Sequence, residues 1–330
     1  MAVDVDFSAD IHNDAEVEIS EGYIGPGVRI ERGVSIKADY LKIGRDTLIR
    51  KGVSLRTDHG VIGYDNNFFK DAEINVKNLV LGNHGVVFAR AIIEGSEVRL
   101  GHGFYIDTNA VIGGGSAFDP ESSLRAGDFY HQGKNSQVNT GRGVIVGHEF
   151  GCGMGTNVFT HGAYLSVWEG FPVQWGPVNI GNRVWLPNAL VMPGVTIGND
   201  VVVGAGSLVS RDISSGSLAV GSPAVVKKAN AYPRNLSDNE KDGVFGELFL
   251  KPSINLACMR SIEIPRHSKI REGVYDVGGV VFDIDNRTLE GKASDFSEIL
   301  RNQMRRNGTR FWYEINSEGM YASFAKTSWD

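Results

Sequence analysis

No apolar run in this sequence reaches the roughly 18 residues needed to cross a bilayer as a helix, which argues against a membrane span. The opening residues, MAVDVDFSAD, lack the basic and apolar regions of a secretory leader. Cysteine is scarce: Cys152 and Cys258 lie far apart and make no metal pattern. These absences lead to the expectation of a cytoplasmic chain with reduced thiols. On that expectation the Asn-x-Ser/Thr matches at Asn235, Asn286 and Asn307 are coincidental. No HExxH, paired CxxC or P-loop is present, so no metal site is expected. The glycine cluster ending at Ser116 follows no strand–helix signature and is not a nucleotide loop. A net charge of −6 argues against a general nucleic-acid role.

What the chain does have is glycine, 42 of 330 residues, and a repeat. An aliphatic residue followed by glycine recurs every 19 positions, at Ile24, Ile43, Ile62, Leu81 and Leu100, and Val5–Asp6 extends the series one unit back. Each unit divides into six, six and seven: Ile24, Ile30, Ile36; Ile43, Ile49, Leu55; Ile62, Phe68, Ile74; Leu81, Val87, Ile93; Leu100, Ile106, Ile112. An apolar residue every sixth position is neither a helix face nor a long strand. It fits three short strands per turn of a solenoid, each sending one large side chain to a central axis, with a bend after each.

Beyond Ile112 the step weakens. Phe118 and Leu124 keep the spacing, and a polar excursion, residues 125–143, follows. The ladder resumes at Val146, Cys152 and Val158, which makes Cys152 a core residue. It breaks at His161 and resumes at Ile180, Leu186, Val191, Ile197, Val203 and Val209, with one five-residue step before Val191. That is about ten rungs, a stack roughly 45–50 Å tall at ~4.8 Å per strand. From Ala229 the ladder is gone. Residues 229–243 are polar and read as a linker. Residues 244–330 read as a small α+β domain of some three strands and one helix. Its strands are expected at 278–284, 309–316 and 320–325. Its helix follows Ser294 and stops at Gly308.

The block from Ile180, IGNRVWLPNALVMPGVTIGNDVVVGAGSLVSRDISSGSLAVGSPAVVKK, resembles the signature of the hexapeptide-repeat acyltransferases. The resemblance implies a left-handed parallel β-helix over residues 1–228, and the two breaks in the ladder make two protruding loops on it. It also implies a homotrimer with acyl-CoA as co-substrate in the groove between copies. The appended domain is similar in layout to that of N-acyltransferases acting on dTDP-linked aminodeoxy sugars.

Acyl transfer needs a proton acceptor for the nucleophile, a donor for the oxyanion and alignment of two substrates. His84, His102 and His148 follow ladder residues and read as solvated corners. His161 stands at the break, 19 residues before Ile180. The resemblance places the general base there, the alternative being a histidine that anchors the returning loop. The loop carries Tyr164, Trp168, Phe171 and Trp175, which suit either a substrate wall or a neighbouring copy. Asp128, Tyr130, His131, Lys134, Asn135, Gln137 and Asn139 in the polar excursion suit a sugar, and Lys134 a phosphate. Asp128, His131, Lys134 and Asn135 are the substrate contacts expected from it, with Tyr164, Trp168 and Trp175 from the loop.

By the same resemblance Ala205 meets the pantetheine arm, Arg211 and Lys228 meet CoA, and Trp185 borders the reaction site. The pattern departs at Val225, where a basic residue is usual, and at Pro187, where a small one is. The expectation is an acetyl or short hydroxyacyl transferase with no tightly bound cofactor. Its acceptor is the amine of a nucleotide-linked, dTDP-type aminodeoxy sugar destined for a surface polysaccharide. The alternatives are O-acetylation of a sugar or small molecule, and a β-helix scaffold without catalysis.

Overall fold

The computed structural model describes residues 3–115 and 117–328; Ser116 of the glycine cluster and Met1 and Ala2 of the opening segment lie outside it. The described chain forms two units. One runs to Pro233 and takes in Thr327; the other is Arg234–Lys326.

The first unit is a parallel β-helix of about eleven turns. Its ladder is the one the repeat predicts: Ile24 pairs with Ile43, Ile43 with Ile62, Ile62 with Leu81 and Leu81 with Leu100, all parallel and in register. These side chains are buried in one continuous apolar core. Each turn crosses three faces. In the sixth turn the first face holds the end of strand Ile92–Leu100, the second Tyr105–Ile106 and the third Val111–Gly113. At the far end Val225–Lys228 folds back antiparallel on Leu218–Val220.

The polar stretch 125–143 is not an excursion. Ala126, Gln132 and Val138 pair with Leu100, Ile106 and Ile112 and make a full turn. Gln132 takes a place otherwise aliphatic and is fully buried. Its Oε1 accepts from the Tyr130 hydroxyl (2.9 Å), and its Nε2 donates to the carbonyls of Val111 (3.0 Å) and Ser136 (3.3 Å). A buried amide so paired is tolerated on an apolar axis. The buried Tyr130 ring packs on Phe150 and supplies bulk that Ala126 lacks. The chain instead leaves the ladder at 114–122, where Phe118 is almost fully exposed rather than a rung, and at His161–Pro177. Cys152 is buried as expected, and burial pushes its thiol up to about 12.

The corner between the first and second faces explains the recurrent glycine. In successive turns a side chain accepts the backbone N–H of the turn before it. The N–H of Tyr64 donates to Asn83 Oδ1, that of Asn83 to His102 Nδ1, that of His102 to Asp128 Oδ1, and that of Asp128 to His148 Nδ1. The column continues from His148 to Asn182 Oδ1, from Asn182 to Asn199 Oδ1 and from Asn199 to Ser215 Oγ, with all seven bonds between 2.7 and 3.1 Å. A Cβ at Gly101 would lie 2.4 Å from Asp128 Oδ1, and one at Gly147 2.5 Å from Asn182 Oδ1. Glycine precedes every acceptor of the column except Ser215, because the acceptor or the backbone of the next turn fills the space. His102 and His148 are therefore members of a bonded column, not merely solvated corners.

A backbone N–H can only donate, so Nδ1 of His102 and of His148 must carry a lone pair. Burial lowers the pKa of His102; the Asp128 charge opposes this and His84 reinforces it. The folded state thus favours the neutral ring. Its contribution to stability is complete above the ordinary imidazole value of about 6.5 and is lost as pH falls below that value through the folded pKa. His102→Asn keeps an acceptor, as Asn83 and Asn182 do. It is expected to retain the melting temperature at pH 8 and to flatten its decline below about pH 6.5. An unchanged decline in thermal melts would contradict this.

The second unit holds helices Asp238–Gly243 and Lys251–Met259 joined by a π-helical stretch Val244–Leu250, a six-stranded antiparallel sheet, and helix Asp295–Arg306. It is richer than the sequence reading of three strands and one helix. Helix begins at Asp238, inside the stretch read as linker, and strands His267–Arg271, Val274–Val277 and Thr288–Lys292 were not foreseen. Ser294 caps the last helix as expected, and Gly308 follows it at φ +85°. Phe282, Leu289, Leu300 and Met304 are fully buried in a separate core. No helix among the described residues is long and apolar enough to cross a membrane.

Candidate active site at the third corner

Both departures from the ladder leave the same corner, between the third and first faces. Residues 114–122 follow strand Val111–Gly113; Thr140–Gly143 follow strand Gln137–Asn139 one turn on; His161–Pro177 follow strand Asn157–Val158 one turn further. Three successive turns therefore bring Asp119, Glu121, Asn139, Arg142, Thr160 and His161 together.

The hub is Asn139. Its Oδ1 accepts from the Gly141 N–H (3.1 Å) and the Thr160 hydroxyl, and lies 3.1 Å from His161 Nδ1. The Gly141 backbone donor identifies that atom as the amide oxygen rather than nitrogen, so His161 Nδ1 must be the donor. In the neutral ring the proton is thereby held on Nδ1, and Nε2 keeps the lone pair that a general base requires. Glycine at 114 makes room: a Cβ there would stand 2.1 Å from Asn139 Nδ2.

The face of the His161 ring stacks on Trp175, with centroids 4.5 Å apart and planes 16° apart, across the short antiparallel pair His161–Gly162 and Gln174–Trp175. The Arg142 guanidinium lies 4.4 Å from the centre of the same indole. Its Nε donates to Glu121 at 2.8 Å, and its Nη1 is 3.6 Å from Asp119. Between the ends of this hairpin the loop is open: Tyr164 and Trp168 are 98% and 96% exposed, so no described residue covers them.

The other substrate contacts expected from sequence do not gather here. Asp128 is fully buried at the first corner, its oxygens accepting from the His102 N–H and from the N–H and hydroxyl of Thr327. His131 stacks on Tyr105 on the second face. Lys134 and Asn135 are exposed at the second corner. The cause is the unbroken turn at 125–143, which deals these four residues around the stack.

The expected CoA contacts also spread over more than one face. Trp185 faces outward on the second face above Gly151, where a Cβ would stand 2.7 Å from the indole. Lys228 lies exposed on the strand capping that face. Ala205 is exposed at the second corner, and Arg211 is exposed at the third, above His161. Two surface cavities of about 360 and 400 Å³ lie lower on the third corner and share Arg56, Thr57 and Asp58. Neither includes a residue of the His161 cluster or an expected substrate or CoA contact, though the first is lined in part by Phe118 of the 114–122 departure. Among the described residues no cluster of His, Cys, Asp and Glu could hold a metal ion. Asn139 stood among the polar residues of 125–143, but nothing in its spacing tied it to His161. Arg142, Thr160, Asp119 and Glu121 had no sequence signal.

A family model described as bacterial transferase hexapeptide (six repeats) matches residues 177–211. A provisionally named acetyltransferase of Staphylococcus aureus (strain MRSA252) is 48% identical over 75 residues, 22% of this chain; the match spans 37% of that relative's length. The galactoside O-acetyltransferase of Escherichia coli K12 is 30% identical over 157 residues, 44% of this chain and 73% of that one. Among solved structures, a maltose O-acetyltransferase from Clostridium difficile 630 is similar at 27% identity over 32% of this chain and 58% of that chain, with a TM-score of 0.26. The UDP-N-acetylglucosamine O-acyltransferase of Moraxella catarrhalis is similar at 15% identity, covering 78% and 91%, with a TM-score of 0.36.

Proposed function

This chain belongs to the hexapeptide-repeat acyltransferases, and from that premise we propose that it moves an acyl group from coenzyme A to a nucleophile on a sugar, with His161 as general base. The observation that carries the reading is the Asn139–His161 bond, which keeps the lone pair on Nε2. In the proposed step Nε2 takes the proton of the acceptor hydroxyl or amine as that atom attacks the thioester carbonyl. The tetrahedral intermediate then collapses, the C–S bond breaks, and the imidazolium returns the proton to the departing thiolate.

Ala205, Arg211, Lys228 and Trp185 remain the proposed CoA contacts. Since they occupy different faces of one copy, we place CoA between copies of a homotrimer, where the second face of one meets the third corner of the next. The exposed Tyr164 and Trp168 support a neighbouring surface at this corner.

For the acceptor, a sugar hydroxyl is favoured by the likeness to a galactoside O-acetyltransferase. The narrower reading, the amine of a nucleotide-linked aminodeoxy sugar, now rests on the appended α+β unit alone. Thermal shift separates the readings, because a ligand that binds the native state raises its melting temperature by mass action. Stabilisation by acetyl-CoA and by dTDP supports the nucleotide-linked acceptor. Stabilisation by acetyl-CoA alone supports the hydroxyl acceptor. Stabilisation by neither contradicts the transferase and favours a scaffold.

A further inference from the structure

We propose that Arg142 is a positioning residue that holds the His161 ring in its working orientation through Trp175; this rests on the reading of His161 as the base. The Asn139 bond fixes one atom of the imidazole, Nδ1, and leaves the ring free to tilt about that contact. The tilt is limited by the Trp175 face. Trp175 is itself 46% exposed at the end of an open loop. Besides the two-residue hairpin pairing, that end of the loop is held by Gln174 Nε2 donating to the Pro193 carbonyl (3.1 Å) and by the Gly176 N–H donating to the Thr160 carbonyl (3.0 Å). Neither contact touches the indole.

Arg142 does touch it, and it is anchored by three further bonds. Its backbone N–H donates to Thr160 Oγ1 at 3.0 Å, next to the base. Its Nη1 donates to the Gly141 carbonyl at 2.8 Å, and its Nε donates to Glu121 on the 114–122 insertion. A planar guanidinium can lie on an indole and fork to a carboxylate at once; a lysine ammonium supplies the charge without the plane. Arg142 thus links the lower insertion to the plane of the base, and the insertion with Asp119 and Glu121 becomes a buttress of the site.

The test is steady-state kinetics on the full chain with acetyl-CoA and the best acceptor found, comparing Arg142→Ala, Arg142→Lys and the Asp119→Asn/Glu121→Gln pair with His161→Ala. Because a misplacement of about 1 Å costs up to roughly 100-fold, Arg142→Ala is expected to lower kcat about 10–100-fold. The acetyl-CoA KM is expected to stay unchanged, and guanidinium ion in the assay to restore part of the rate. Arg142→Lys should recover little. The Asp119/Glu121 pair should lose less than Arg142→Ala, since the guanidinium stays on the indole. Full activity of Arg142→Ala beside an impaired His161→Ala overturns the proposal and leaves the base intact. A rate loss matched by an equal loss of CoA-binding capacity, or no recovery with guanidinium, also overturns it. An unimpaired His161→Ala removes the base reading itself.

Discussion

His161→Ala is expected to lower kcat for acyl transfer about 10²–10⁴-fold, the span a positioned general base contributes. The acetyl-CoA KM should stay within roughly twofold, since in the proposed step the ring acts on the acceptor proton and does not hold the thioester. His161→Asn should fall as far, because an amide in place of the imidazole offers no basic nitrogen. Asn139→Leu is expected to cost less, about 10–100-fold. It leaves the imidazole present but releases Nδ1 from its acceptor, so the ring samples the wrong tautomer and the wrong tilt. The order of the three variants matters as much as their size. A His161→Ala enzyme within about tenfold of the parent would assign His161 to anchoring the loop, and the proton would then have to leave by another route.

Gly101→Ala is expected to destabilise the fold by about 3 kcal/mol, the upper end of what overpacking costs. Its Cβ would stand 2.4 Å from Asp128 Oδ1, 2.7 Å from Asp128 N and 2.7 Å from Gly127 C. Two of the three obstacles are backbone, held in parallel register with the turns on either side, so side-chain adjustment cannot relieve the overlap. Adding Asp128→Ala should therefore not rescue the variant, and a full rescue would show that the carboxylate alone was the obstacle. Gly243→Ala is the matched control. That residue is helical, at φ −60° and ψ −44°, with nothing within 4 Å of a built Cβ. It should be neutral or stabilising by up to about 1 kcal/mol, the ordinary gain of alanine over glycine in a helix. Thermal or urea melts of the two variants, read on the unit each belongs to, decide the matter.

The glycine column also shows how far the sequence could be read. The aliphatic–glycine step at Ile24, Ile43, Ile62, Leu81 and Leu100 is legible because each inward position carries a large apolar side chain and each bend needs a residue without one. The reading fails at 125–143 because it takes apolar bulk as the mark of a rung. A turn with Ala126 and Gln132 at two inward positions looks polar on paper, and its amide is satisfied only by groups the fold brings there. The spacing of Phe118 was coincidence: the chain leaves the stack at 114–122 and rejoins it one step out of phase.

The helix at 238–243 had a signal that the linker reading passed over. Ser237 and Glu240 form a capping box, the S-x-x-E pattern that marks a helix start. At the site, His161 was visible as the place where the ladder breaks. Its partner was not, because Asn139 meets it only when two turns are stacked and the intervening turn has a length other than 19. Arg142 and Glu121 are further still from any linear motif, since their association depends on the 114–122 insertion leaving the same corner that Arg142 occupies one turn on.

The most direct measurement of the central claim is release of free CoA thiol from acetyl-CoA by the full chain, read against a panel of sugars with and without a nucleotide and with and without an amine. The account predicts acceptor-dependent release by the parent protein that falls at least about 100-fold in His161→Ala, with both proteins bound equally to acetyl-CoA. Acetyl-CoA binding by neither protein, or equal turnover by both, would contradict it.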